Sequence, residues 1–155
     1  MCARIAIALI AALTGSCEAL AAQRIYCVAD DANLKMSLES GFSAEKKQGA
    51  LQHFRGILTL KDSKVPGLVE TMRLTSSMLK QHWMDGSELR LQVYAESDSG
   101  PFATLELTVD TTALPGDTSR LQGGYTVKIR TGEKGSEGDL QTALSRDGRV
   151  LCEVK

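Results

Sequence analysis

Met78-x3-His82-x-Met84 is the densest group of chemistry-bearing side chains, with Met36 and Met72 as further thioethers. Thioether sulfur and imidazole nitrogen together suit copper(I), a soft ion that exported proteins meet. The competing reading is that the methionines fill gaps in a core while His82 lies on a polar face. His53 and His82 are the only histidines, so schemes needing several imidazoles fail, and no zinc signature is present. Two Ser-x-x-Lys spacings, Ser43 to Lys46 and Ser77 to Lys80, would bring a lysine to a serine across one helical turn and activate it as a nucleophile. Ser97-Asp98-Ser99 and Arg130-Thr131-Gly132 echo the companion motifs of penicillin-recognising enzymes but depart from their residues, and the chain is too short for that helix-rich domain. No Gly-x-Ser-x-Gly elbow occurs and nothing marks out a Ser-His-Asp triad. Asp30-Asp31 with Asn33 offers oxygen ligands for calcium, yet lacks the Asp-x-Asp-x-Asp-Gly order of a calcium loop and reads as a solvated turn. Gly132 to Gly138 carries acidic residues where a phosphate loop needs Gly-Lys-Ser, and reads as a hairpin loop. No catalytic residue and no cofactor are therefore expected.

The elements that would position these groups are strands. From Ser87 to Asp110, Leu89, Leu91, Val93 and Ala95 alternate with Arg90, Gln92, Tyr94 and Glu96; after Ser97 to Pro101 the alternation resumes through Ala103, Leu105, Leu107 and Val109. Two period-two runs across a short turn predict an antiparallel hairpin. Similar runs lie at Arg24 to Ala29, Leu34 to Leu38, Leu51 to Lys61, Leu68 to Leu74 and Tyr125 to Ile129. Gly56 marks a bulge or a close backbone approach, and Gly123-Gly124 suggests a bulge. Thr75 to Met84 fits either a short helix or a strand; Asp85-Gly86, a tight-turn pair, favours a strand over Leu79 to Met84. Thr111 to Ser119 reads as a loop around Pro115-Gly116-Asp117. Asp147-Gly148 reads as a turn from Leu140–Arg146 into a last strand, Val150 to Val154.

Residues 1–21 carry one basic residue, Arg4, an apolar run from Ile5 to Leu13 and small residues around Leu20, the pattern of a secretory signal peptide cleaved after Ala21 or Ala22. The run is too short to span a bilayer and no later stretch is longer, so no transmembrane segment is expected. Leu13-Thr14-Gly15-Ser16-Cys17 offers a lipid-anchor alternative, with the leucine one residue further from the cysteine than usual. Cys27 and Cys152 are then the cysteines left in the mature chain, and an even count in an oxidising compartment implies a disulfide joining its first and last strands. Residues 22–155 are enough for one domain.

Eight to nine strands without a long helical pattern predict an all-β antiparallel domain. An up-and-down barrel is expected over a β-sandwich, because pairing the first strand with the last leaves no exposed edge. A net charge of -1 and few aromatic residues argue against nucleic acid as a partner. Tyr26-Cys27 near the start of the mature chain and Cys152 near its end resemble the ends of bacterial periplasmic lysozyme inhibitors, which are small antiparallel barrels. The Ser-Gly-x-x-Tyr loop of those inhibitors is missing, Ser40-Gly41-Phe42 being the nearest string, so no inhibitory residue is carried over. The expected function is that of a periplasmic or secreted interaction module, not an enzyme. It would bind a protein partner, such as an envelope or extracellular enzyme that it inhibits, through Ser43–Gly49, Thr111–Ser119 and Gly132–Gly138. The alternatives are a carrier of a small apolar ligand inside the barrel, copper handling through Met78, His82 and Met84, and a hydrolase with a triad not evident from the sequence.

Overall fold

Period-two alternation becomes nine antiparallel strands in the computed structural model, which describes residues 23–42, 51–61, 65, 70–97, 100–135 and 139–155. They are β1 (Arg24–Asp30), β2 (Leu34–Phe42), β3 (Leu51–Leu60), β4 (Thr71–Thr75), β5 (Leu79–Asp85), β6 (Glu88–Glu96), β7 (Phe102–Leu114), β8 (Asp117–Gly132) and β9 (Gln141–Val154). Their order in the single sheet is β4-β3-β2-β1-β9-β8-β7-β6-β5, so sequential strands are neighbours and the first pairs with the last. The result is an up-and-down barrel, nearly closed. The expectations placed on Ser43–Gly49 and on most of Asp62–Gly67 lie outside the described residues.

Alternation sorts the side chains between core and surface. On β6, Leu89, Leu91, Val93 and Ala95 are buried while Arg90 and Glu96 are exposed. Register stacks these positions into layers, with Val93 opposite Leu107 and Leu107 opposite Val127. Leu34, Leu58, Val93, Leu105, Leu107 and Val127 are fully buried in one contiguous core. Burying each aliphatic side chain of this kind contributes roughly 1.5 to 3 kcal/mol before entropy is counted.

Cys27 and Cys152 are directly opposed across β1 and β9 and form a disulfide, with Cα atoms 4.0 Å apart. The bridge lies on the inner face and closes the barrel between strands 125 residues apart in sequence.

The remaining seam lies where β4 and β5 meet. They are joined by one 3-10 turn, Ser76–Met78; among the described residues β4 pairs only with β3 and β5 only with β6. The chain thus changes partner at a kink, and side chains stitch the gap. Ser76 Oγ donates to the Phe54 carbonyl at 3.0 Å, and the Leu51 amide donates to His82 Nε2 at 3.2 Å. Truncating His82 to alanine leaves a half-buried amide unpaired, a loss of about 1 kcal/mol. Hydrogen exchange at Leu51 then rises in H82A; unchanged exchange would remove the imidazole from the seam.

Several local expectations are corrected. Thr111–Ser119 is not a loop: β7 and β8 run through it and only Pro115-Gly116 turns, with Gly116 at φ 78°. Asp147-Gly148 does not turn; β9 continues unbroken and Gly148 pairs with Tyr125. Gly123-Gly124 is not a bulge, since Gly123 opposes Thr111 and Gly124 opposes Asp110 in continuous register. A Cβ on Gly123 would lie 2.7 Å from Thr111 Cα, so this glycine permits close strand approach. Gly56 likewise marks close approach, a Cβ there falling 2.9 Å from the Ser37 carbonyl oxygen. The bulge in β3 sits nearby at His53, where the register with β2 shifts and φ is 56°. The Leu79–Met84 strand and the Asp85-Gly86 turn are observed as expected, Gly86 having φ 48°.

Candidate functional site

The groups singled out for their chemistry are largely engaged in holding the fold. Met36 and Met72 are core residues, and Met78 and Met84 pack against that core. His82 opposes Leu91 and Met84 opposes Leu89, so both follow the inward phase of β5, with His82 Nε2 occupied by the Leu51 amide. Ser77 Oγ is bonded to Thr75 Oγ1 at 3.0 Å, and Lys80 Nζ donates at 3.0 Å to the Ser77 carbonyl. That lysine holds a turn instead of facing the hydroxyl it would activate. Ser43 and Lys46 lie outside the described residues.

Asp31 is an intramolecular clasp. Its Oδ1 accepts from the Asn33 and Leu34 amides at 2.8 and 3.1 Å, and its Oδ2 accepts from the Tyr125 hydroxyl at 2.6 Å. Asn33 Nδ2 donates to the Asp147 carbonyl at 3.0 Å. Lys61 Nζ donates to Asp30 Oδ1 and to the Asp31 carbonyl at 2.6 and 2.5 Å. The β1–β2 turn is thereby tied to β3, β8 and β9. Burial pushes the Asp31 carboxyl up, but hydrogen bonds from Tyr125, Asn33 and Leu34 and the Lys61 charge outweigh it and hold the group below its ordinary range. Burial and the Asp31 carboxylate push the Tyr125 phenol well up, so its proton stays in place as donor. Calcium would have to displace all of these partners from Asp31. Among the described residues, no three His, Cys, Asp or Glu side chains gather as a metal site would require.

The outer wall carries a groove of about 370 Å³ across β2, β3 and β4. Ser37 and Glu39 line it from β2, Arg55, Gly56 and Ile57 from β3, and Arg73, Leu74 and Thr75 from β4. Gly56 lines it with backbone only; its missing side chain belongs to the inward phase, where Leu38 leaves no room for a Cβ. Glu39 is gripped from two sides: Arg55 Nη2 reaches its Oε2 at 2.5 Å, and Arg24 Nη1 its Oε1 at 2.6 Å. The Arg55 guanidinium foremost, with Arg24 adding to it against the opposing effect of burial, holds the Glu39 carboxyl below its usual range. Ile57 is 49% exposed, an apolar side chain on the solvent phase of β3. Opposite it on β4, Arg73 has no hydrogen-bond or ion-pair partner among the described residues. The groove therefore offers an uncommitted cation beside an apolar step, at the β4 end of the sheet.

A second, polar recess of about 480 Å³ lies at the far end of β8 and β9, lined by Thr131, Gly132, Glu133, Asp139 and Gln141. It coincides with part of the Gly132–Gly138 segment, and Glu133 and Asp139 make it acidic. Arg73 and Ile57 were not singled out by sequence. The one signal available was that Ile57 falls among His53, Arg55 and Thr59 on the polar side of the alternation. The chain matches no protein-family model, no curated protein and no solved structure.

Proposed function

We propose that the protein is an exported interaction module that binds a protein partner on the outer wall of the barrel, through the β2–β4 groove. The observation that carries this reading is Arg73, uncommitted among the described residues, beside exposed Ile57 on the neighbouring strand. An extended partner segment with a carboxylate next to an apolar side chain matches it: the carboxylate meets Arg73, and the apolar group covers Ile57. An envelope or extracellular enzyme held in this way would be inhibited by occlusion. The disulfide supports export, since such bridges persist in oxidising compartments. Among the described residues no helix is long and apolar enough to cross a membrane.

The test uses immobilised protein and cell-envelope extract, comparing wild type with the I57D/R73E double variant and with K128E on the exposed face of β8. A partner that binds wild type and K128E but loses at least about tenfold in affinity for I57D/R73E is the expected result. Equal capture by all three would place binding elsewhere on the surface. Failure of wild type to capture any partner reproducibly would remove the reading.

A further inference from the structure

Among the described residues, three of the four large apolar side chains that are exposed fall in one transverse row. Val28 and Leu151 are directly opposed across β1 and β9, and they are 52% and 59% exposed. Val28 also opposes Ser37 on β2, and Ser37 opposes Ile57 on β3, which is 49% exposed. The row Leu151–Val28–Ser37–Ile57 thus crosses the outer wall opposite the disulfide, which lies one residue away on the inner face. Isolated exposed apolar residues are ordinary on protein surfaces, but an aligned row flanked by charge is a different arrangement.

The flanks make the difference. On one side of the row the outward positions are Arg149 on β9, Asp30 on β1, Lys35 on β2 and Thr59 on β3. On the other side they are Glu153, Tyr26, Glu39 and Arg55, in the same strand order. Charge reverses sign across the apolar row on β9 and β2, Arg149 against Glu153 and Lys35 against Glu39, and on β1 and β3 a charged residue stands against a neutral one. A two-fold axis laid along the row would exchange the two flanks between copies. Arg149 of one copy would then face Glu153 of the other, Lys35 would face Glu39, and Asp30 would face the Tyr26 hydroxyl. Arg55 would face Thr59, and on β8, Arg120 would face Gly124. No like charges meet in any of these columns. One strand further, Arg73 would face its own copy, which marks the edge of the contact. Arg149 forms no ion pair among the described residues, whereas Glu153 meets only the exposed Lys155, at 3.0 Å.

We infer that this wall, centred on Val28 and Leu151, is an isologous interface, and that its occupant is a second copy of this chain with its strands antiparallel to the first. The surface overlaps the β2–β4 groove at Ser37, Glu39, Arg55 and Ile57, so a second copy and the proposed partner compete for Ile57, whereas Arg149 and Glu153 lie outside the groove. Arg73 lies three strand spacings from Val28, about 14 Å around the wall.

Sedimentation velocity on the purified protein over a wide concentration range tests the inference. A reversible dimer is expected, weakened by added salt. R149E places a carboxylate over Glu153 of the second copy, and E153R places a guanidinium over Arg149 of the second copy. Each variant alone should therefore weaken the dimer by at least about tenfold. Mixing the two variants should restore it as a heterodimer, because both 149–153 columns then pair opposite charges; the R149E/E153R double variant should restore the homodimer. Rescue by mixing cannot arise from misfolding of either variant. A monomer at the highest concentration, a dimer indifferent to the single reversals, or singles that stay monomeric when mixed would each overturn the inference.

Discussion

Reducing the Cys27–Cys152 bridge lowers the unfolding free energy of the barrel by about 3 to 5 kcal/mol, the upper figure being the chain-entropy value for so wide a loop. The bridge spans 125 residues of sequence, so the oxidised unfolded chain is confined almost end to end. In the folded state the two cysteines are already neighbours in the β1–β9 ladder, whose backbone register needs no bridge to be satisfied. The effect is therefore expected mainly in the unfolded ensemble. Urea unfolding with and without reductant, followed by circular dichroism, measures it, and the C27A/C152A double variant should show a drop at least as large. A midpoint that does not move on reduction would mean that the unfolded chain is already compact enough to make the bridge redundant.

Gly148→Ala is expected to lower stability by about 3 kcal/mol, combining overpacking with loss of a half-buried charged hydrogen bond. A Cβ at this position would lie 2.5 Å from the Tyr125 hydroxyl and 2.6 Å from its ring, and it would collide with the Asp31 carboxylate. Neither neighbour can withdraw cheaply. Tyr125 is 2% exposed within the core, and Asp31 is tied to two backbone amides. Chemical denaturation of G148A beside Y125F separates the two contributions, since Y125F removes the hydrogen bond, about 1 to 2 kcal/mol, without adding volume. A G148A protein as stable as wild type would mean that β1 and β8 part more easily than their contacts imply.

The same clasp sets a pH dependence. Asp31 titrates below its ordinary value of 3.8 in the folded protein, so its contribution is fully present above that value and is lost as pH falls through the folded one. Stability of the wild type should therefore fall more steeply than that of D31N below about pH 4. Parallel acid titrations of the two would be expected to diverge only in that window; parallel curves throughout would remove Asp31 as the acid-sensitive group.

Much of the architecture was legible in residue order because a strand's two faces are a local property. Leu89 to Ala95 and Ala103 to Val109 could only be half-buried strands, and Asp85-Gly86 could turn tightly because glycine reaches φ 48° without strain. The closing disulfide followed from the two cysteines expected to remain after signal cleavage and the oxidising compartment that export would imply. The failures have a common origin. Asp147-Gly148 and Gly123-Gly124 look like turn and bulge signals, yet Gly148 and Gly123 answer crowded neighbours, Tyr125 with Asp31 in one case and the Thr111 backbone in the other. Sequence shows that a side chain is missing but not what takes its space.

The surface sites divide the same way. Val28, Ile57 and Leu151 each break the polar phase of their own strand, and that much is visible in one dimension. Their meeting in one row, the charges beside it and the placing of Arg73 next to Ile57 depend on register between strands as distant as β1 and β9. By itself the sequence determined the all-β class, the faces of the strands with clean period-two alternation and the pairing of Cys27 with Cys152, because these rest on local alternation and redox chemistry. Only the tertiary structure decided which outward residues are neighbours, because barrel closure sets the register of β1 against β9, and local alternation is the same whatever strand lies alongside.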